Sequence, residues 1–230
     1  MFRLKELIPI FSPEIFGITI DITASIIVEW VVILILGIGA FLLTRNLKLK
    51  DPSKTQSALE KVYQSIRDLL VSVMGEEYES FLPYIGTLMI YLLILNFTGL
   101  IGIAPPTSDL SVTASFAIVT FLVVNLNAIK KHGILSYGKG LLHPYAFMLP
   151  INIMERFVLL VSLSLRLFGN MVAAVIILDL IYEQLGHIAM LAQLGTPIFL
   201  HGYFDLFDGG IQMLVFSMLT MINIKVTADH

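Results

Sequence analysis

Residues 144–185 form one long apolar stretch, and in its middle, within Ser162-Leu-Ser-Leu-Arg166-Leu-Phe-Gly-Asn170, sits an arginine. The stretch reads as a membrane helix, and the arginine limits how that helix can be used. A guanidinium stays protonated at any working pH, so burial cannot be relieved by losing the charge. Placing it near a bilayer centre costs at least about 2.5–3.5 kcal/mol on insertion scales, so such charges face protein or water. The plainer alternative is an arginine that snorkels to the interface or holds one structural ion pair. About ten mostly apolar residues on each side of Arg166 put the interface out of easy reach, which makes Arg166 the first candidate functional residue.

The rest of the composition agrees with a membrane setting. Of 230 residues 57% are hydrophobic and 13% charged, and the mean hydropathy is +0.89; soluble domains lie well below this. The chain is therefore expected to be an all-α polytopic membrane protein. It has no cysteine, which removes disulfides, thiolate metal sites and thiol catalysis, and leaves the redox compartment unread. A net charge of −3 argues against a nucleic-acid partner. No cleavable signal is evident, because Pro9, Pro13 and Glu14 interrupt any apolar core after Arg3 and Lys5; insertion is expected to rest on the first span.

The chain divides into one integral membrane domain with the following expected parts. Residues 1–22, with Pro9, Pro13, Asp21 and the alternating run Phe16 to Asp21, form a short extramembrane segment. Residues 22–43 make span 1, with Glu29 and Trp30 inside it and Gly37 and Gly39 as close-packing points. Residues 44–74 form a loop and amphipathic surface helix: Arg45, Lys48, Lys50, Lys54, Lys61 and Arg67 accompany Leu59, Val62, Ile66, Leu69 and Leu70 at helical spacing. Span 2 covers 81–103 and closes on Ala104-Pro105-Pro106-Thr107-Ser108-Asp109; span 3 covers 112–129 and ends at Lys130-Lys131-His132-Gly133. The stretches 144–185 and 188–226 each exceed the roughly 20 residues of a perpendicular span, so they are predicted to be long, strongly tilted antiparallel helices. Basic residues gather in 44–70 and 130–140 and are missing from 104–111 and 183–205. The positive-inside rule then places the N-terminus outside and the C-terminus in the cytoplasm.

At 100° per residue, Glu155, Ser162, Arg166, Asn170 and Ala173 share one stripe of the first long helix, near Asn152. On the second, Asp205, Gln212 and Asn223 share a face, with Asp208 a turn from Asp205 and Gln212. A turn near residue 189 would set Gln212 level with Arg166, and Asp208 and Asp205 opposite Asn170 and Ala173, so that two polar stripes meet. Interhelical glue is the commoner role for Ser, Asn and Gln in membranes, and it accounts for the amides better than for the charges. Carboxylates on both sides of a fixed cation instead describe an ion path with a block in it. The cation repels a through-going cation, attracts an ionised carboxylate brought by another subunit and lowers that group's pKa.

These residues carry a resemblance. Ser162-Leu-Ser-Leu-Arg166-Leu-Phe-Gly-Asn170-Met, with Gln212-Met-Leu-Val-Phe-Ser-Met-Leu-Thr-Met, closely resembles subunit a of F-type rotary ATP synthases, bacterial type. Pro105 to Thr113, Leu149-Pro-Ile-Asn152 and Glu155 extend the match, as does the order of helices, to about four-fifths of the chain. The resemblance implies five membrane helices plus a surface helix, with the long pair wrapped against a ring of c subunits. It implies a non-catalytic stator subunit of the cell membrane, with b subunits of the peripheral stalk and lipid as further partners. The chain would pass H⁺ or Na⁺ to and from the ring carboxylates, with no cofactor and no resident metal. Arg166, Asn170 and Gln212 would form the crossing point, Asn152, Glu155, Ser162 and Asn223 an inner half-channel, and Asp205, Asp208 and Asp179 an outer one. The chain departs from the commonest bacterial pattern, which has Glu nine residues after the Arg and His seven before the Gln, and carries Val175 and Asp205 there. Valine relays nothing, so the outer role passes to Asp205, expected to neighbour Val175.

Rival readings find less support in the residues. A stand-alone ion-coupled secondary transporter remains the alternative, though no inverted repeat or matched broken helices are evident. A voltage sensor needs several spaced arginines. Ser164 and His201 lack any hydrolase motif around them. His132, His143, His187 and His230 fall near expected helix ends or loops and are read as solvated, and Asn96-Phe-Thr98 is a sequon inside a span. Asp179 and Glu183 belong either to the outer vestibule or to a polar helix end.

Overall fold

The computed structural model describes residues 11–12, 14–15, 18–19, 22–48, 53–134, 137–138, 146–188 and 199–229. It separates into two compact units, Met1–Pro106 and Thr107–His230.

In the first unit, β1 (Glu14–Ile15) and β2 (Ile18–Thr19) form a small antiparallel hairpin, extended by a bridge between Phe11 and Ile22. Of the alternating run noted over 16–21, β2 is the described part; residues 16, 17, 20 and 21 lie outside the described ones. Helix α1 (Ala24–Thr44) is apolar on every side, and Trp30, Leu34, Ile38 and Phe41 are among its exposed side chains. A helix apolar all round suits a lipid surrounding.

Helix α2 (Lys54–Met74) begins later than the composition shift at residue 44, because Ser53 caps it. The Ser53 hydroxyl accepts from the Gln56 N–H at 3.2 Å, filling one of the unpaired donors of the first turn. Gln56 also donates to the Lys48 carbonyl at 2.9 Å and accepts from the Lys48 N–H at 3.0 Å, tying Lys48 to the first turns of the helix. Gly75, at φ 100°, ends α2 in a conformation that side chains with a Cβ rarely adopt. A 3₁₀ turn over Glu76–Phe81 leads into α3 (Leu82–Phe97), whose Pro83 sits in the first turn where a missing N–H is harmless. Arg67 and Glu79 form an ion pair across that turn, and the hydrogen bond and charge of Glu79 raise the Arg67 pKa above its ordinary value. Ile85, Leu88, Met89, Leu92 and Leu95 are buried at helical spacing, and α3 packs on both α1 and α2.

In the second unit, Asp109 caps α4 (Leu110–His132) by accepting from the Ser111 N–H at 2.9 Å. Helix α5 (Leu149–Ile188) runs for 40 residues, about 60 Å at 1.5 Å per residue. That is roughly twice the hydrocarbon thickness of a bilayer, so the helix must lie strongly tilted if it stays within one. The last helix begins at Phe199, widens into a π-helical segment over Gly202–Asp208 and continues as α6 (Gly209–Asp229). Residues 189–198, where the second long stretch was expected to begin, lie outside the described ones.

The core of this unit is where α5 and α6 both pack on α4. Leu163, Leu167, Met171, Ala174 and Leu178 repeat every three or four residues along the buried stripe of α5. Small or hydroxylated residues line the facing side of α4 (Thr113, Ala117, Thr120, Ala128); in membranes such residues let backbones approach closely. Among the described residues, five helical segments are long and apolar enough to cross a membrane, at Ala24–Thr44, Glu76–Ile101, Leu110–His132, Leu149–Gln184 and Phe199–Ala228.

This packing makes Leu167, fully buried, a different site from its neighbour Leu165, 52% exposed. Leu167→Ala is expected to destabilise the protein by about 2 kcal/mol or more through the cavity it leaves, whereas Leu165→Ala should be close to silent. Unfolding of the purified chain in mixed micelles measures both.

Candidate functional site

Two sides of α5 have opposite tasks. The apolar stripe faces α4 and α6, and the polar stripe expected from the sequence points the other way. Glu155, Ser162, Arg166, Asn170 and Ala173 are all exposed. No side chain among the described residues pairs with Arg166. The helix thus carries a permanent cation at its middle on a face that its own fold leaves open.

Three contacts fix how α5 and the last helix run past each other. Arg156 donates through Nη1 to the Thr227 hydroxyl, Asn170 donates to Gln212 Oε1 at 2.8 Å, and Tyr182 Oη lies 3.1 Å from His201 Nε2. The pair is antiparallel, and its centre falls near residue 191, not 189. Gln212 is consequently level with Asn170 and not with Arg166, a shift of one helical turn from the sequence expectation. Interpolated between the two outer contacts, Asp208 comes to the level of Val175, and Asp205 stands opposite Leu178. Val175 and Asp205, expected as neighbours, thus stand about one helical turn apart in height. Hydrophobic periodicity fixes which residues share a face but not the height of one helix against the other.

The two polar stripes meet at one point, the Asn170–Gln212 bond. The Nε2 of buried Gln212, with Asn127 Nδ2, Ser217 Oγ and Thr220 Oγ1, is a buried polar atom with no hydrogen-bond partner among the described residues. Among the other expected site residues, Asn223 donates to its own helix at the Leu219 carbonyl, 2.6 Å away. Asn152, Asp179 and Asp208 are half-buried. Asp205 is buried and lies 2.5 Å from His201 Nδ1. Ser164 turns inward to the Thr113 hydroxyl at 3.5 Å, so Ser164 and His201 serve different partners and form no hydrolytic pair.

Three side chains outside the sequence-derived set enter the site's geometry. His201 and Tyr182 contact each other, and His201 contacts Asp205; the four-residue spacing of His201 and Asp205 was the available signal. Arg156 was a second charge inside the same apolar stretch, open to the argument made for Arg166. Besides Thr227 it lies 6.0 Å from the centre of the Tyr137 ring, whose hydroxyl donates to Asn125 Oδ1. Close by in sequence, His132 Nε2 lies 2.7 Å from the Ala228 carbonyl. His132 was read as solvated; it is exposed, yet engaged. His143 and His230 lie outside the described residues, as does the side chain of His187.

The sequence finds matches among known proteins. A family model described as ATP synthase A chain covers residues 26–225. The chain belongs to the ATP synthase A chain family. Its a-subunit relatives include one from Moorella thermoacetica, 36% identical over 210 residues, covering 90% of this chain and 92% of the relative. The protein from Bacillus subtilis is 30% identical over 238 residues, covering 94% and 97%. A third, from Propionigenium modestum and named as sodium ion specific, is 34% identical over 220 residues, covering 89% and 73%. As a member of this family, the chain is a non-catalytic, ion-translocating stator subunit in the F0 sector of an ATP synthase, and a multi-pass membrane protein. That displaces the stand-alone transporter.

The Asn170–Gln212 bond gives a direct check of the register. A double-mutant cycle with Asn170→Ala and Gln212→Ala should return a stabilising coupling of about 0.5–1.5 kcal/mol, the range found for interhelical hydrogen bonds in membranes. Pairing Arg166→Ala with Gln212→Ala in the same unfolding assay should return a coupling near zero.

Proposed function

We propose that the open polar face of α5 is the face on which ions cross between this stator subunit and a ring of c subunits. The observation that carries this reading is Arg166, exposed at the middle of a 40-residue apolar helix with no partner among the described side chains. Lipid would be a poor neighbour for that face, at a cost of about 2.5–3.5 kcal/mol for the arginine alone. A row of membrane-embedded carboxylates is a good one, since each ionised acid that stops opposite the guanidinium gains a charge-assisted partner. Asn170, held by Gln212, borders the same crossing point.

Ions reach the ring carboxylates through two offset half-channels. Asn152, Glu155, Ser162 and Asn223 serve the cytoplasmic side, and Asp205, Asp208 and Asp179 the outer side, in the orientation set by the basic segments 44–70 and 130–140. The partnerless atoms of Gln212, Ser217, Thr220 and Asn127 favour a hydrated interior, because buried polar groups in native proteins are satisfied by water when protein offers nothing. Arg166 separates the two paths: a cation moving straight through meets a fixed positive charge, whereas one neutralised on a ring carboxylate passes by rotation. The length and tilt of α5 let one helix border the ring across most of the membrane. The b subunits of the peripheral stalk would hold this chain still while the ring turns.

Arg166→Ala is therefore expected to abolish ion-driven ATP synthesis in membrane vesicles while leaving the complex assembled. Arg166→Lys should recover little, because a compact ammonium lacks the planar fork that grips a carboxylate. Synthesis near the wild-type rate in assembled Arg166→Ala complexes would refute the mechanism.

A further inference from the structure

At the end of the long helix pair nearest the connecting residues, three side chains with exchangeable protons stand in a row. Tyr182, on α5, places its hydroxyl 3.1 Å from His201 Nε2. The other nitrogen of that ring, Nδ1, lies 2.5 Å from Asp205 Oδ2. The two rings are 5.9 Å apart, so they also pack against each other. Burial deepens along the row: the His201 side chain retains 16% of its exposure and Asp205 only 3%. The π-helical segment Gly202–Asp208 turns Asp205 inward while Tyr203, Leu206 and Phe207 stay exposed. Wide turns of this kind are frequent at functional sites.

We infer that Tyr182 and His201 form a proton relay that loads and unloads Asp205. The inference rests on the reading of Asp205 as an outer half-channel acid and goes beyond it by naming the groups that serve it and the ion they pass. Imidazole suits this place because it can accept a proton on one nitrogen while giving one up from the other. In the inward direction, the Tyr182 hydroxyl gives its proton to Nε2 and takes one from water on its exposed side. Nδ1–H gives its proton to the Asp205 carboxylate. One proton moves from water to Asp205, and the imidazole is left as the other tautomer, which a ring flip resets. Asp205 passes its proton onward, and the reverse sequence serves export.

A sodium ion could not use this row in the same way. Hard cations prefer oxygen ligands, and here the imidazole stands between the phenol and carboxylate oxygens. The other titratable groups sharing this end are Asp179 and Glu183 on α5 and Asp208 one turn beyond Asp205. Neither Asp179 nor Asp208 touches the imidazole within hydrogen-bonding distance.

The test uses the intact synthase in membrane vesicles, with ATP synthesis driven by an imposed proton gradient at a series of outer-side pH values and at fixed low Na⁺. His201→Ala, His201→Gln, Tyr182→Phe and Asp205→Asn are compared at equal complex abundance. Synthesis in His201→Ala is expected to fall at least about tenfold, the lower side of what one positioned acid–base group contributes. The loss should be steepest at high outer pH, and added imidazole should recover part of it. His201→Gln, which keeps hydrogen bonds but cannot carry a proton, should be equally slow. Tyr182→Phe, the mildest change, should show the same pH-dependent slowing if His201→Ala fails to assemble. Asp205→Asn near the wild-type rate would remove Asp205 from the outer path altogether. A slow Asp205→Asn beside normal His201→Gln and Tyr182→Phe would keep the Asp205 site and overturn the relay. Synthesis that follows outer Na⁺ and not outer pH would also overturn it.

Discussion

An arginine cannot shed its charge, and on an outward face of a membrane helix it has to be answered by something outside the chain. Most of the second unit is arranged around that fact. The apolar stripe of α5, from Leu163 to Leu178, is consumed in packing on α4 and α6, which forces the stripe bearing Glu155, Ser162, Arg166 and Asn170 to the exterior. The helix is thus held by one face and presented by the other. Its rigidity comes from close packing against small α4 residues and from polar ties spread along its length, at Arg156–Thr227, Asn170–Gln212 and Tyr182–His201. With the helix fixed at three levels, the guanidinium stays at a defined height, which a device that must stop a passing carboxylate requires.

The same ties give the two ends of the pair different chemistry. Arg156, Tyr137, Asn125 and Thr227 build a satisfied polar cluster at the end where α5 begins. At the other end Tyr182, His201 and Asp205 make a chain of exchangeable protons. Between them lie the partnerless polar atoms of Gln212, Ser217 and Thr220 on the last helix. The proposed division into inner access, central block and outer access follows this gradient along a single helix pair.

Much of this was legible in the sequence because membrane helices advertise themselves by length and composition. Five apolar stretches, a surface helix with basic residues and an over-long final pair all follow from hydropathy and periodicity, and Arg166 follows from the cost of its charge. That Glu155 to Ala173 share one face was also readable, since 100° per residue fixes which side chains lie together; that this face would turn outward and meet the other stripe at Asn170–Gln212 alone was not. What periodicity could not supply was the height of one helix against another. The contacts set Gln212 at the level of Asn170, one turn from Arg166. His201 was weighed only as a hydrolase candidate; its four-residue spacing to Asp205 was readable, whereas its contact with Tyr182 needed the register of two helices. Arg156 needed no structure, only the argument already made for Arg166.

The central claim is that the open face of α5 meets the c ring. The chain has no cysteine of its own, so a single introduced thiol reports cleanly on its surroundings. Ser162→Cys and Ala173→Cys, both on the exposed stripe, and Leu163→Cys and Leu167→Cys, both buried against the chain's own helices, are each combined with a cysteine beside the ion-binding carboxylate of the c subunit. Oxidation of the assembled synthase is predicted to cross-link the first two to the c subunit and to leave the last two unlinked. Cross-links from Leu163→Cys and Leu167→Cys without any from Ser162→Cys and Ala173→Cys would contradict the account.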